Sequence, residues 1–389
     1  MPGRKRKNRF LKFISRIALL CFLIVIAAAL VGSDITVGQI FLHETMPDYG
    51  FFLRSESPEE SEGRTRFLTG DGRTRFFNEI ELFVSHEGII YEVNEIPEII
   101  GLEDVVFQDE TVGRTAIESP AMRDIVSLAN LPYEMDFNYL IRNFYIVPQE
   151  TGISESDFDI DRMLTADFSL SSGNISEPQV LVFNTHSNEM FIDSRDRSEG
   201  VIALSARLCE ILNERYGIRA VYTTGDFDFV DGRPHVLGAY ERMEPVITRL
   251  LEENPSIEVV IDIHRDGVAP DRHLVTTLNG KPTAQLMFVN GMSRINNSGN
   301  HVPIAHLPNP NLQDNLAFSF QMQLAAGSLF PEANLMRRIY LKPFRYSLHM
   351  MPRSLLVEVG AQTNTLEEAL NAIDPLASML AAVLGGGQH

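Results

Sequence analysis

Four side chains that can bind a metal ion or carry a proton occur at apolar runs in the second half of the chain. They are His186, Glu189, His264 and Glu358. The first two follow the run QVLVFNT, the third follows EVVIDI, and Glu358 lies inside LLVEV. A carboxylate within an apolar strand is costly to bury unless it is paired. The four residues together therefore indicate a reactive site.

The chemistry that fits these residues is hydrolysis assisted by Zn2+. A catalytic zinc ion commonly has three protein ligands from His, Asp or Glu and keeps one position for water. We predict that His186 and His264 are two of the ligands. Glu189 is the predicted third ligand, and Glu199 is the alternative. Zinc lowers the pKa of water and polarises a carbonyl group, which leaves Glu358 as the predicted general base.

Charged residues around His264 are candidates for supporting roles. Asp262 lies two positions before His264 and therefore faces the same side of a strand. Either Asp262 or Asp266 is expected to hold the ring nitrogen of a histidine ligand that does not bind the metal. Arg265 is a further candidate for a supporting contact or for a contact to the substrate.

The elements that must position these residues alternate between strands and helices from about residue 178 onwards. Continuous apolar runs are typical of strands buried on both faces, and apolar residues at helical spacing predict helices at about 201–212, 238–253 and 312–327. This alternation predicts an α/β domain with three layers and a mostly parallel sheet. Ligands bind at the carboxyl ends of the strands in such sheets, where the candidate residues lie.

Two hairpins are also predicted. The Asn279-Gly280 pair separates strands expected near 273–278 and 283–290, and this dipeptide favours a type I′ turn. The sequence GRTRF occurs at 63–67 and again at 72–76, with a glycine-rich stretch between the copies. This pattern also predicts a β-hairpin.

The first part of the chain differs in composition from the rest. Residues 1–16 carry basic charges and no acid, and an uncharged apolar run follows from Ile17 to about Gly32. The positive-inside rule predicts a single-pass membrane anchor with the remainder outside the cytoplasm, and a cleaved signal peptide is the alternative. We expect three regions: a basic tail and anchor (1–34), an accessory or membrane-proximal region (35–170) and a catalytic domain (171–389).

The overall charge excludes one class of partner. The chain has 52 acidic and 33 basic residues, and its formal net charge is -19. A phosphate backbone requires a cationic face on its protein partner. Nucleic acid is therefore not expected to bind.

Four blocks of sequence carry a resemblance to a known family. They are VLVFNTHSNEMF (180–191), NPSIEVVIDIHRDG (254–267), NGKPTAQLMFVNG (279–291) and SLLVEVGAQTNTLEEAL (354–370). In this order the blocks resemble the stage II sporulation protein P family of N-acetylmuramoyl-L-alanine amidases, and the resemblance covers roughly residues 140–384.

The resemblance implies a zinc amidase-like fold and hydrolysis of the amide between N-acetylmuramic acid and L-alanine in peptidoglycan. It implies that His186 and His264 bind the metal and that Glu358 is the catalytic glutamate. It further implies a membrane-bound protein that acts in forespore engulfment, together with a lytic transglycosylase and a small membrane scaffold protein.

The chain departs from the family pattern in two places. The family often has His-Thr-His where this chain has Asn184-Thr185-His186, and Tyr-Asn-Gln-Asp where it has Tyr346-Ser347-Leu348-His349. Asn184 lies two positions further back in the strand than His186. The histidine that the family often has at this position is therefore not expected to be a ligand. The second departure concerns contacts to the substrate more than binding of the metal.

Two other functions stay open on the sequence alone. A zinc carboxypeptidase or endopeptidase acting on the stem peptides of the wall would use the same kinds of ligand. A carboxypeptidase would also need an arginine for the terminal carboxylate, and Arg265, Arg345 and Arg353 are candidates. A non-catalytic wall-binding scaffold is the third possibility.

Overall fold

Apolar and β-branched runs form the central sheet. The computed structural model describes residues 135–171, 177–230 and 233–385, together with residues 100, 125 and 131 and the backbone of four short strands between 67 and 93. Its largest sheet has seven strands. They are β1 (Tyr145–Ile146), β2 (Val180–Phe183), β3 (Ala220–Tyr222), β4 (Val259–Asp266), β5 (Leu286–Gly291), β6 (Ile339–Lys342) and β7 (Ser354–Ala361).

The strands lie in the order β1-β6-β5-β7-β4-β2-β3. Within this sheet β5 and β7 pair antiparallel, and the other neighbours pair parallel. The predicted α/β class with a mostly parallel sheet is therefore confirmed. One consequence is that β7, β4, β2 and β3 share a direction, so their carboxyl ends form one edge.

Seven α-helices accompany the sheet in the described part of the chain. They are α1 (Phe137–Phe144), α2 (Ile160–Thr165), α3 (Val201–Tyr216), α4 (Ala239–Glu253), α5 (Leu312–Leu329), α6 (Leu366–Asn371) and α7 (Ile373–Leu384). Short 3-10 turns cover Glu155–Asp157 and Arg197–Glu199. The three helices predicted from apolar spacing correspond to α3, α4 and α5.

Side chains along β2 alternate between two separate cores. Val180 and Val182 pack in the larger core, together with the buried faces of α3, α5 and α7. Leu181 and Phe183 pack in a second core with Met243 and other residues of α4. Because successive side chains of a strand point to opposite faces, helices cover both faces of this sheet. This is the three-layer arrangement that the sequence predicts.

The hairpin at Asn279-Gly280 forms, but its second strand is shorter than predicted. Val275–Leu278 pairs antiparallel with Lys281–Ala284, and both turn residues have positive φ, at 51° and 78°, as a type I′ turn requires. The expected strand at 283–290 is not continuous. The hairpin ends at Ala284, and Leu286 begins β5 in the central sheet. All residues of β5 are buried, so the apolar second half of this run is in the core.

Short hairpins occur elsewhere in the described residues. Phe67–Leu68 pairs antiparallel with Thr74–Arg75, as the repeated GRTRF sequence predicts. The other hairpins are Ile80–Ser85 with Gly88–Val93, Phe229–Val230 with Arg233–Pro234, and Arg294–Asn297 with Asn300–Pro303.

Part of the region assigned to an accessory role contributes to the sheet. Strand β1 pairs with β6 at its edge, and Leu140 of α1 and Met163 of α2 are buried in the larger core. Residues 137–165 therefore pack with the α/β domain. The predicted accessory or membrane-proximal region at 35–170 remains a prediction for the residues upstream of 135.

Among the described residues, no helix combines the length and apolar character needed to cross a membrane. The predicted anchor, at residues 1–34, lies outside the described residues.

Candidate active site

The candidate residues meet at the carboxyl ends of β2, β4 and β7, on the face of the sheet covered by α4. Ile261 and Ile263 of β4 pack in the larger core on the opposite face, so Asp262 and His264 point towards α4. On the adjacent strand, Glu358 is the register partner of His264. The alternation of the two strands thus brings a carboxylate beside an imidazole.

His264 is enclosed by two carboxylates. Its Nε2 lies 2.8 Å from Asp262 Oδ1, and its Nδ1 lies 3.4 Å from Glu189 Oε2. The contact at Nε2 is an ion-pair contact rather than an aligned hydrogen bond, because no acceptor satisfies the geometry of this nitrogen. Burial alone would lower the pKa of His264, but Asp262 and Glu189 raise it well above its usual value.

Asp262 is itself held in place by the end of β2. The backbone N–H and the hydroxyl of Thr185 donate to its two oxygens, at 2.9 and 2.7 Å. The residue is 1% exposed. Although burial opposes ionisation, His264 and Thr185 lower the pKa of Asp262 below its usual value. A buried, ionised carboxylate thus fixes the orientation of the His264 ring.

Glu189 ends a tight turn that begins at His186. The backbone N–H of Glu189 donates to the carbonyl of His186 at 3.1 Å, and Glu189 Oε2 accepts from the backbone N–H of Arg265 at 2.8 Å. Burial would raise the pKa of Glu189, but His264, His186 and Arg265 together lower it. The carboxylate is therefore ionised, as a metal ligand must be.

The turn that carries His186 is fixed by Asp228. This buried carboxylate accepts hydrogen bonds from the hydroxyl of Ser187 at 2.9 Å and from the backbone and side-chain N–H groups of Asn188 at 3.1 and 2.9 Å. The His186 ring lies 5.3 Å from the His264 ring, centre to centre. Burial lowers the pKa of His186, and its Nδ1 has no hydrogen-bond partner among the described residues. A neutral imidazole of this kind can ligate a metal.

Glu358 is the carboxylate without a partner in this cluster. The residue is partly exposed, but its Oε2 is buried and accepts no hydrogen bond from the described residues. Burial raises the pKa of Glu358 to about 8, with His264 acting in the opposite direction and Glu189 adding to the rise. A general base or acid is efficient when its pKa lies near the working pH. Glu358 therefore suits this role at neutral pH.

Two tyrosines complete the site. The Tyr240 ring meets the His186 ring edge-on at 5.4 Å and is nearly parallel to the His264 ring at 6.4 Å. Tyr346 meets Tyr240 at 5.2 Å with an interplanar angle of 78°. Tyr240 comes from the first turn of α4, which places it over the carboxyl ends of β2 and β4.

Three other residues predicted from the sequence have partners elsewhere. The carboxylate of Glu199 binds Arg195, whose Nε and backbone N–H donate at 2.7 and 2.9 Å and lower the pKa of Glu199 to about 2. Asp266 pairs with Arg337 at 2.6 Å. The side chain of Arg265 donates to the carbonyl of Met190 at 3.1 Å. Of the two candidate third ligands, Glu189 is therefore the one in contact with His264.

Comparison with known families identifies the chain. A family model described as Stage II sporulation protein P (SpoIIP) matches residues 143–381, which is more than half of the sequence and includes every candidate residue discussed above. The chain belongs to this family. A search of curated proteins finds none that matches it. Membership is consistent with a role in sporulation, and the family is linked to hydrolysis of peptidoglycan during that process.

Asn184 is structural in this member of the family. It is fully buried, donates to the carbonyl of Ile263 at 2.7 Å and accepts from the hydroxyl of Ser205 at 3.0 Å. These bonds tie β2 to β4 and to α3. The position where the family often has a histidine therefore faces the interior here, away from the cluster.

The described residues do not include a group of three His, Cys, Asp or Glu side chains drawn together as closely as a bound metal requires. His264 and Glu189 are already in contact. The ring of His186 lies next to the ring of His264. The Nδ1 of His186, however, makes no hydrogen bond with either side chain.

The sequence did not indicate Asp228 or Tyr240, and it drew attention to Tyr346 only through the departure from the family pattern at 346–349. Asp228 follows the carboxyl end of β3, so the same rule that located the other residues could have drawn attention to it. Tyr240 occupies an amphipathic helix, where an aromatic residue is usually part of a core. Tyr346 occurs in a turn, and its contact with Tyr240 was not predicted.

The turn at Glu189 leaves no room beside Gly200, and this gives a testable prediction. A Cβ at Gly200 would lie 2.3 Å from the carbonyl oxygen of Glu189. We expect Gly200→Ala to lower the free energy of unfolding by about 1–3 kcal/mol, as overpacking typically does. Denaturant titration measures this. Gly267→Ala is the control, because a Cβ there meets nothing within 4 Å; equal stability of the two variants would contradict the prediction.

Proposed function

We propose that the protein is a zinc-dependent hydrolase that cleaves the amide between N-acetylmuramic acid and L-alanine in peptidoglycan. The observation that carries the proposal is the cluster of His186, Glu189 and His264 beside the unpaired carboxylate of Glu358. The link of the family to peptidoglycan hydrolysis supports this substrate.

The residues present fit a zinc ion. Two ligands bonded at about 2.1 Å in tetrahedral geometry are separated by roughly 3.4 Å, and His264 Nδ1 and Glu189 Oε2 are 3.4 Å apart. Two imidazoles and a carboxylate form a donor set that zinc commonly uses in catalytic sites. The buried Nδ1 of His186 has no partner. The donor atoms of the three residues do not yet surround one point. A side chain must therefore rotate for zinc to bind.

Each residue of the chain has a distinct task in this proposal. His186, Glu189 and His264 would hold the ion, which, when bound, would polarise the scissile carbonyl and lower the pKa of water at the site. Asp262 holds the His264 ring, and Asp228 holds the turn that carries His186. Glu358 would take a proton from the attacking water on its carboxylate and deliver it to the leaving amide nitrogen.

The contacts of Arg265, Arg345 and Arg353 argue against the carboxypeptidase alternative. Arg345 is paired with Glu244 at 2.5 Å, and Arg353 is paired with Glu258 at 2.9 Å. Arg353 immediately precedes β7 and lies five positions before Glu358, which corresponds to roughly 16 Å along an extended chain. With Arg265 bound to a backbone carbonyl, each of the three candidates is already engaged and would have to break a contact to bind a terminal carboxylate.

The proposal includes a location outside the cytoplasm. The basic and apolar start of the chain supports a membrane anchor. A lytic transglycosylase and a membrane scaffold protein remain proposed partners, on the resemblance alone.

Digestion of purified peptidoglycan tests the reaction. The full-length chain would be incubated with intact sacculi, with zinc or with a chelator, and the products read by mass spectrometry. We expect free stem peptides that begin with L-alanine, and loss of these products with the chelator. Release of single amino acids would instead indicate a carboxypeptidase. Zinc binding without any product would overturn the amidase proposal.

A further inference from the structure

Tyr346 has an unusual backbone conformation. Its φ is 52°, in the left-handed region that bulky residues seldom adopt. The other non-glycine residues with positive φ in the described part of the chain are Asn279, Ser293 and Ser298, all small and polar. Such conformations persist only where the surroundings enforce them, and they occur preferentially at functional sites.

Glu244 of α4 enforces this conformation from one side. One carboxylate oxygen of Glu244 binds Arg345 at 2.5 Å, and the other lies 3.1 Å from Nε2 of His349. The Nδ1 of His349 also contacts the carbonyl of Tyr346 at 3.0 Å. The residues on both sides of Tyr346 are thus attached to the same carboxylate.

The opposite side of the turn is fixed by packing. A Cβ at Gly291 would lie 2.3 Å from the carbonyl oxygen of Phe344 and 2.7 Å from that of Arg345, so only glycine allows β5 to approach the turn this closely. Leu348 is buried against Met287 and Leu356 of the sheet. The turn is therefore rigid, and the backbone of Tyr346 is held in place from both sides.

This rigid turn and α4 present one surface to the site. Glu244 is four residues after Tyr240, so the two lie on the same face of α4. The helix that holds the turn thus also supplies the ring that Tyr346 contacts. Tyr240 in turn contacts both histidines of the candidate metal site. We call the rings of Tyr240 and Tyr346 the aromatic wall.

We propose that the aromatic wall binds the pyranose ring of N-acetylmuramic acid and thereby places the scissile amide at the site; this rests on the proposed function. A pyranose has an apolar C–H face, and the apolar face of a tyrosine ring packs against it. The acidic stem peptide would instead need a cation, and Arg345 beside the wall is already paired with Glu244. Tyr346 is therefore a specificity-determining residue for the sugar.

Binding of two soluble probes tests this assignment. The first is N-acetylmuramoyl-L-alanyl-D-isoglutamine, and the second is L-alanyl-D-isoglutamine, which lacks the sugar. Calorimetric titration of the full-length chain in chelator measures binding without cleavage. Tyr346→Gly removes the ring, and glycine adopts the observed φ without strain, so the turn is retained. Tyr346→Phe keeps the ring. Tyr139→Ala, in α1, is the control.

We expect Tyr346→Gly to raise the Kd for the sugar-containing probe about tenfold, or about 1.4 kcal/mol, and to leave binding of the free peptide unchanged. Tyr346→Phe and Tyr139→Ala should stay within about twofold of the wild type. Equal loss of both probes, or unchanged binding of the muramyl probe, would overturn the assignment.

The binding and digestion experiments distinguish a wrong sugar-binding assignment from a wrong proposed function. If the zinc-loaded wild type releases stem peptides from sacculi but Tyr346→Gly binds the muramyl probe normally, only the aromatic wall is wrong. If the probes behave as expected but no peptide is released, the sugar-binding assignment is supported and the amidase proposal fails.

Discussion

Replacing Glu358 by glutamine is expected to lower the rate of amide cleavage by roughly 10²- to 10⁴-fold, which is the usual contribution of a general base. The variant keeps the shape of the side chain and removes its capacity to carry a proton. Because burial raises the pKa of Glu358 to about 8, the fold already favours the uncharged form. Glutamine is therefore compatible with the folded state. The rate of stem-peptide release from peptidoglycan measures the effect.

The matched control for this variant is Glu367→Gln, since Glu367 is exposed in the first turn of α6. It should cleave at the rate of the wild type. Zinc content and the thermal unfolding midpoint of Glu358→Gln should also match the wild type, because Glu358 is not a predicted ligand. Near-normal cleavage by Glu358→Gln would remove this residue from the mechanism.

Replacing Glu189 by glutamine is expected to weaken zinc binding by more than roughly 100-fold, because removal of a residue that only supports a ligand already costs about 10–100-fold. The amide is neutral and cannot replace an anionic ligand. Glu189 Oε2 lies 3.4 Å from His264 Nδ1 and accepts a hydrogen bond from Arg265, so the side chain is fixed where a shared ion would be bound. Competition with a chromogenic chelator measures the affinity.

The chain offers a close control in Glu199→Gln. Glu199 is the other candidate ligand, and it is engaged by Arg195 at the surface. Its replacement should leave zinc affinity within about twofold of the wild type, since exposed ion pairs contribute little. If Glu199→Gln weakened zinc binding more than Glu189→Gln, Glu199 would be the third ligand. The 195–199 turn would then have to rearrange.

The sheet and the reactive residues on it could be predicted because buried strands carry a strong pattern. The runs that form β2, β4 and β7 are continuous and apolar, so His264 and Glu358 contrast with their surroundings. The choice between Glu189 and Glu199 depends on contacts that spacing alone does not determine. The i,i+4 spacing of Arg195 and Glu199 was the one local signal that favoured an ion pair.

Asp262 was predicted as a support of His264, whereas Asp228 and Glu244 were not, since their roles depend on the tertiary structure. Asp228 lies in a loop and accepts hydrogen bonds from the turn that carries His186. Glu244 lies in α4 and binds a turn about a hundred residues later in the sequence. Strand β1 has two residues, too few to show a period. The end of the hairpin at Ala284 was missed because only Gln285 separates it from the apolar run that forms β5.

An anomalous difference map at the zinc absorption edge, from crystals of the full-length chain grown with zinc, tests the central claim most directly. We expect one strong peak, from an ion bonded to His186, Glu189 and His264 at roughly 2.0–2.2 Å, with Glu358 beside the ion and not bonded to it. A peak bonded to Glu199, or no peak at the carboxyl ends of β2 and β4, would contradict it.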